Sequence, residues 1–195
     1  YTLNKGSNMR TGQVDISSFF IAYWFPRIGV YDDLAGWNNY TYSGDGEFYN
    51  DFGDFDVKIN VPGGFAVWAT GELQNPEHTL SKKVLNKYNE ARNSNKPVHI
   101  IEKGFYTNAI ATLDQEIIGW EFKAENVSDF AFGLSDHYLW DAVTLNAGKG
   151  GSEVFLSAAY NPESSDFYHV LGMAENAIGY MTEELPGLPF PYPSI

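Results

Sequence analysis

The sequence has no cysteine and only four histidines, and both shortages limit the chemistry that it can carry. Without cysteine there is neither a disulfide framework nor a thiolate metal site. The histidines are His78, His99, His137 and His169, and they are at least 21 residues apart. A pair of histidines one helical turn apart, as in the zinc-binding string HExxH, is therefore absent, and we interpret each histidine as an ordinary surface or core residue.

Basic residues and long apolar runs are also scarce. There are 12 Lys and Arg against 25 Asp and Glu, and this net charge of −13 repels phosphate backbones and anionic headgroups. The longest apolar clusters, such as residues 19–25, are too short to span a bilayer. We therefore predict neither a nucleic-acid partner nor membrane insertion. Because the chain begins at Tyr1 without a Met or a leader, we expect a processed or partial product.

Large aromatic residues are abundant, with 14 Phe, 13 Tyr and 5 Trp in 195 residues. This length and an apolar content of 44% predict a folded chain with a buried core, comprising one domain or one domain and part of a second. Bulky rings favour β-strands.

Period-two alternation predicts the strands. Phe55, Val57, Ile59 and Val61 alternate with polar residues up to the turn Pro62-Gly63-Gly64, and residues 65–70 are predicted to return as the hairpin partner. Further strands are predicted at residues 16–24, 98–102, 117–125, 129–134, 138–145 and 153–160. The predicted fold class is a mainly β, antiparallel, sandwich-like or saddle-like domain.

Two segments have the helical period instead. A short helix is predicted near residues 80–92, capped by Thr79. Its apolar face comprises Leu80, Val84, Leu85, Tyr88 and Ala91. A longer helix is predicted near residues 165–184, ended by the proline-rich segment 186–193. Its apolar side comprises Phe167, Val170, Leu171, Ala177, Ile178 and Met181.

We place a domain boundary near Asn161-Pro162, because the β-rich pattern of residues 1–160 changes there to one helix and an extended tail in residues 161–195.

Three local patterns have a functional and a structural interpretation. The acidic cluster Asp45, Glu47, Asp51, Asp54 and Asp56, with Asp32 and Asp33 nearby, lacks the spacing of a calcium loop, so solvated turns are favoured. The glycine-rich segment 148–152 lacks the strand-then-helix setting of a phosphate-binding loop, so it is interpreted as a hairpin turn. An aromatic cluster comprises Trp37, Tyr40, Tyr42, Phe48 and Tyr49. These rings could contact a carbohydrate or protein ligand, but the favoured interpretation is that they fill a core or an interdomain face.

Several segments, in order, resemble the N-terminal domain of the aminopeptidase N family of zinc metallopeptidases (gluzincins), particularly its bacterial members. Residues 19–32 read FFIAYWFPRIGVYD and are followed by Gly36-Trp37. Residues 47–62 resemble the strand that leads to the family's ATGEL hairpin, which is residues 69–73 here. Residues 127–132 read VSDFAF, which is similar to a strand of the family. Residues 189–193 contain a Pro-Tyr-Pro sequence that resembles the segment closing the first helix of the family's catalytic domain, so the resemblance implies that residues 161–195 are the first helix and extended tail of that domain.

The resemblance implies a front domain that walls one side of an active-site cleft, with the catalytic domain following it. The loop that binds the substrate amine, the HExxH helix and the third zinc ligand would lie after Ile195. This chain alone is therefore expected to hold no zinc and to be inactive, whereas zinc and peptide substrate are expected for the parent. Bacterial relatives often carry export signals, which favours an extracytoplasmic parent.

One substrate contact of the family would fall within this chain. A Gln or Glu that binds the substrate's free amino group corresponds to Tyr23, just before Trp24-Phe25-Pro26. A phenol oxygen accepts a hydrogen bond but has no charge. Tyr23 is therefore the candidate substrate-binding residue, with a strand ring at an interdomain face as the alternative. The alternative for the whole chain is a free-standing β-sandwich module that binds carbohydrate or protein through its aromatics.

Overall fold

The computed structural model describes residues 7–8, 11–41, 48–146 and 153–195. Within these residues the fold is mainly β, with antiparallel strands and two α-helices, as the sequence predicts. The strands are β1 (Ser7–Asn8), β2 (Thr11–Gln13), β3 (Ser18–Ile21), β4 (Tyr31–Asp32), β5 (Gly36–Trp37), β6 (Gly53–Pro62), β7 (Ala66–Ala69), β8 (Glu72–Leu73), β9 (Val98–Ile101), β10 (Ile117–Val127), β11 (Phe132–Ser135), β12 (Leu139–Asn146) and β13 (Glu153–Tyr160). The helices are α1 (Lys82–Arg92) and α2 (Val170–Glu183), and 3-10 helices cover Pro76–His78, Phe105–Thr107 and Ser165–His169.

The two longest strands, β6 and β10, pair along their length and form one wall of the core. Ile59 lies opposite Trp120 and Val61 lies opposite Ile118, and all four side chains are buried. The alternate residues of β6 face water. The period-two pattern therefore predicts these strands correctly, because one face of the sheet packs on the core.

The predicted hairpin between residues 55–61 and 65–70 is wrong. β6 pairs with β10, whereas β7 belongs to another sheet and pairs with β11. Gly63 explains part of this difference, since a Cβ atom there would collide with the carbonyl oxygen of Gln115. The absence of a side chain at Gly63 allows the segment before β10 to approach the end of β6.

A second sheet has the strand order β1-β2-β3-β11-β7. Leu134 of β11 lies between Phe19 of β3 and Val67 of β7. The predicted strand at 129–134 begins only at Phe132, because Phe130 turns into the core and its N–H contacts the Asp129 carboxylate (2.6 Å).

The third sheet has the order β13-β12-β9 and packs against α1. The predicted cap at Thr79 is wrong, because α1 begins after Ser81. The Thr79 hydroxyl lies 3.3 Å from the carbonyl oxygens of Asn75 and Pro76, and it therefore closes the preceding 3-10 helix. Leu80 is buried but precedes the helix, whereas Val84, Tyr88 and Ala91 form its buried face as predicted.

The predicted helix at 165–184 consists of a 3-10 helix followed by α2. Only part of its predicted apolar side is buried. Leu171 packs on β12 and β13, and Ile178 and Thr182 are also buried, whereas Phe167, Ala177 and Met181 are exposed. The six predicted residues cover a wider arc than the helix can bury against this sheet.

After α2, the tail adds to the edge of β13 in parallel. The N–H of Phe155 donates to the carbonyl of Pro193 (2.9 Å), and the N–H of Ile195 donates to the carbonyl of Phe155 (3.0 Å). Among the described helices, none is long and apolar enough to cross a membrane. The domain boundary near Asn161 stays a prediction.

Candidate functional site

The segments that carry the resemblance, which we call the landmark segments, meet in space. Trp24 connects the first of them to residues 127–132, because its Nε1 donates to the carbonyl of Phe130 (3.0 Å). The indole also contacts the rings of Phe130 and Phe132 edge-on, with centroids 6.4 and 6.0 Å away. Phe55 of β6 lies 5.7 Å from Phe130, ring to ring, and so adds the second segment to the same core.

The ATGEL segment is joined to residues 127–132 by reciprocal hydrogen bonds. The N–H of Thr70 donates to the carbonyl of Ala131 (2.9 Å), and the N–H of Ala131 donates to the Thr70 hydroxyl (3.1 Å). Gly71 has a φ of +87°, and a Cβ atom there would collide with the carbonyl of Lys123. The glycine is therefore required by both the backbone conformation and the close approach of β10.

The C-terminal landmark segment reaches the same place. The Tyr192 hydroxyl donates to the carbonyl of Asn126 (3.2 Å), and the Ser194 hydroxyl donates to the carbonyl of Gly71 (2.8 Å). The ATGEL segment, residues 126–132 and the tail, which are far apart in the sequence, therefore lie side by side at one surface.

This surface encloses an open cleft of about 1010 Å³. Its walls are the end of β7 with the ATGEL segment, the end of β10 with residues 126–133, and the tail 191–195. Phe20, Trp68, Phe132 and Tyr192 give it an aromatic lining. The cleft combines ring faces with backbone polar groups and a few charged side chains, a mixture that is common in ligand pockets.

Charged groups border the cleft in pairs. Arg27 forms an ion pair with Asp129 and donates to the carbonyl of Ser128 (3.1 Å). Lys123 lies 2.7 Å from Glu125, in exposed positions. Among the described atoms, the buried Nε1 of Trp68, in the wall, has no hydrogen-bond partner. The charged groups at the cleft border therefore already compensate each other.

Tyr23, the predicted substrate contact, is not among the residues that line the cleft. It has a φ of 54° and lies ring to ring with Phe48 at 4.7 Å. The guanidinium of Arg27 lies 5.6 Å from its ring centroid. Since Arg27 contacts Ser128 and Asp129, Tyr23 lies beside the cleft rim rather than within it.

The described residues of the predicted aromatic cluster do not fill the core. Trp37, Tyr40, Phe48 and Tyr49 are exposed, although the ring of Phe48 also contacts Tyr23. Tyr42 lies outside the described residues. The favoured prediction is a core or an interdomain face. It is wrong as regards the core for these four exposed residues, whereas an interdomain face or a ligand site stays open. We call residues 28–41, which contain the β4–β5 hairpin, the aromatic arm.

α2 has an apolar side that faces solvent. Met173, Tyr180, Met181 and Leu185 are exposed on it and just after it. Its only charged residues are Glu175 and Glu183. A helix with exposed apolar residues on this scale is typical of a surface that another protein surface covers.

Two histidines belong to local polar networks. His137 lies between Asp15 (Nε2 to Oδ2, 3.2 Å) and Asp136 (Nδ1 to Oδ1, 2.8 Å). The Nδ1 atom of His99 lies 2.6 Å from Oδ1 of the buried Asp141, whose other oxygen accepts a hydrogen bond from Tyr160 (2.5 Å). Burial and then this hydrogen bond raise the pKa of the Tyr160 hydroxyl.

The described residues contain no group of three His, Asp or Glu side chains placed to hold a metal. Of the acidic cluster, Asp51, Asp54 and Asp56 are exposed, whereas Asp45 and Glu47 lie outside the described residues, as does the predicted turn at 148–152.

In comparisons with protein-family models, curated proteins and solved structures, nothing matches this chain significantly.

Proposed function

We propose that this chain is the non-catalytic front domain of a zinc-dependent, aminopeptidase-like metallopeptidase, and that it forms one wall of the parent's active-site cleft. The main support is the convergence of the landmark segments. Residues that match the family's order along the chain also contact one another through Trp24, Thr70, Phe130 and Tyr192. If the similarity of these segments to the family were accidental, there would be no reason to expect the segments to contact one another.

The exposed side of α2 supports the same proposal. In the family, the corresponding helix opens the catalytic domain, so its outer side would pack on the rest of that domain. Met173 and Met181 lie on this side. Their burial in the parent would remove a large apolar area from water.

The residues of this chain do not fit a zinc centre. His99 and His137 are engaged with carboxylates, and no third ligand group accompanies either in the described residues. Under this proposal zinc belongs to the parent's catalytic domain, whose ligands lie outside this chain, and the peptide is bound between the two domains.

Tyr23 stays the proposed contact for the free amino group of the peptide. The positively charged guanidinium of Arg27 lies over the ring of Tyr23, so the phenol oxygen, rather than the ring face, is the group that would accept a hydrogen bond from an ammonium. Tyr23→Phe in the parent tests this role. Unchanged discrimination between free and blocked N-termini in the ratio of kcat/KM values would remove Tyr23 from recognition.

The proposal is tested by methionine oxidation in this chain and in the protein encoded by the complete reading frame. Met173 is 64% exposed here, and burial against a catalytic domain would slow its oxidation roughly tenfold. The complete reading frame should also encode HExxH after Ile195. A reading frame without this string would overturn the proposal.

A second candidate function is ligand binding by a free-standing module. The exposure of Trp37 and Tyr40 favours it, since open rings can stack on sugars. Titration of this chain with soluble oligosaccharides, followed by tryptophan fluorescence, tests it. Saturable quenching that Trp37→Ala abolishes would support the module.

A further inference from the structure

The aromatic arm exposes a dense set of large apolar side chains. Leu34 at its tip is 95% exposed and Trp37 is 62% exposed, and Ile28, Tyr31 and Tyr40 are also exposed. Scattered apolar residues on a surface need no explanation, but five exposed ones within fourteen residues are an unusually high density. Such a segment in permanent contact with water would favour aggregation.

The arm has a defined shape before it meets any partner. One carboxylate oxygen of Asp32 accepts hydrogen bonds from the N–H groups of Leu34 (3.0 Å) and Ala35 (2.6 Å). The N–H of Asn38 donates to the carbonyl of Val30 (2.7 Å). A preformed hairpin loses little conformational entropy on docking, which favours a role in recognition.

The acidic sequence of the arm and of the residues that follow it restricts the arm's partner. Residues 28–57 contain seven Asp and Glu and no Lys, Arg or His. Two copies of this segment would repel each other, as would an anionic bilayer or a nucleic acid. The complementary partner is an apolar protein surface bordered by Lys and Arg.

The geometry of the rings disfavours a sugar as the occupant. The rings of Tyr31 and Trp37 meet edge to face, with centroids 5.2 Å apart and an interplanar angle of 68°. The two rings therefore do not form a flat platform for a pyranose.

The root of the arm lies at the cleft. Arg27, the residue before the arm, is bound to Ser128 and Asp129 of the rim. A domain that covers the cleft would therefore meet the root of the arm. A domain in the same polypeptide would also cover the arm at every protein concentration.

We propose that the aromatic arm docks into an apolar, Lys- and Arg-bordered surface of the catalytic domain that follows this chain in the parent. This inference rests on the proposed function, and it adds a specific contact to it. Leu34 and Trp37 are the anchors, and Asp32 and Asp33 within the arm orient it toward the basic border.

Hydroxyl-radical footprinting of this chain and of the full-length parent tests the proposal. In the parent, oxidation of Trp37 and Leu34 should slow roughly tenfold, as expected for side chains that become buried. Ile16, which is 90% exposed and lies outside the arm, is the internal control and should react equally in both proteins. Met173 and Met181, measured in the same samples, report on the proposed function separately.

The outcomes are distinguishable. Protected methionines with a fully reactive arm would overturn this inference and leave the proposed function intact. Reactive methionines and a reactive arm would overturn both. Protection of Trp37 in this chain by an oligosaccharide, with no protection in the parent, would identify the arm as a sugar site and overturn the docking proposal.

A matched pair of variants tests the anchor. Leu34→Ser should leave the melting temperature of this chain unchanged and should restore oxidation of Trp37 several-fold in the parent. Ile16→Ser should change neither. If Trp37 stays protected in the parent carrying Leu34→Ser, then Leu34 is not an anchor. If Trp37 stays protected in the double variant Leu34→Ser/Asp33→Lys as well, then the arm is covered by something other than the proposed contact.

Discussion

Asp15 and His137 lie 3.2 Å apart, between Oδ2 and Nε2, and so join the loop before β3 to the turn before β12. Burial alone would raise the pKa of Asp15, but the N–H of Ser17, the hydroxyl of Ser18 and the charge of His137 together lower it. Because the pKa is lower in the folded state, Asp15 stabilises the fold fully above its unfolded-state pKa of ~3.9. This contribution is lost as the pH falls through the folded-state pKa.

We therefore expect Asp15→Asn to lower the free energy of unfolding by about 1 kcal/mol at pH 7, since the carboxylate is partly exposed. Urea denaturation from pH 7 downwards should show that this difference shrinks once Asp15 is protonated in the wild type. Asp33→Asn, at an exposed position, is the control. A difference that stays constant with pH would mean that the charge of Asp15 is not responsible.

Gly71→Ala should destabilise the chain by about 1–3 kcal/mol, because an L-residue is strained at a φ of +87° and its Cβ atom would displace the carbonyl of Lys123. Gly172→Ala is the matched control, since the position is helical and a Cβ atom there would meet no other atom within 4 Å. That substitution should stabilise the chain by about 0.5–1 kcal/mol. Equal effects of the two substitutions in guanidinium denaturation would contradict this explanation.

Phe130→Ala should cost about 3–5 kcal/mol, because the ring is fully buried where Trp24 and Phe55 meet it. Such a loss is a large fraction of the stability of an ordinary domain. Thermal unfolding monitored by near-ultraviolet circular dichroism would detect it. Phe52→Ala, at an exposed position, should change stability by less than about 0.5 kcal/mol.

The sequence predicts local structure well where one face of an element is buried. Alternation identifies β6 and β10, and Glu153–Tyr160 forms a strand with the predicted bounds. Strand partners are less predictable, because pairing depends on contacts such as that of Gly63 with Gln115, which are distant in the sequence. The very short strands β4 and β5 give no periodic signal at all.

The candidate site, like the fold, is predicted by the sequence only in part. The sequence indicates the order of the landmark segments, but it does not indicate that Tyr192 and Thr70 meet at one cleft. Tyr23 is indicated by its place in a motif, whereas the structure places it beside the rim. Trp68 has no distinguishing signal, because a tryptophan in an apolar strand has the same pattern whether its Nε1 is paired or unpaired.

The most direct test of the proposed function is hydrolysis of aminoacyl nitroanilides, with added zinc, by this purified chain and by the full-length parent. We expect chelator-sensitive turnover by the parent and none by this chain. Chelator-sensitive turnover by this chain alone would contradict its assignment as a non-catalytic front domain.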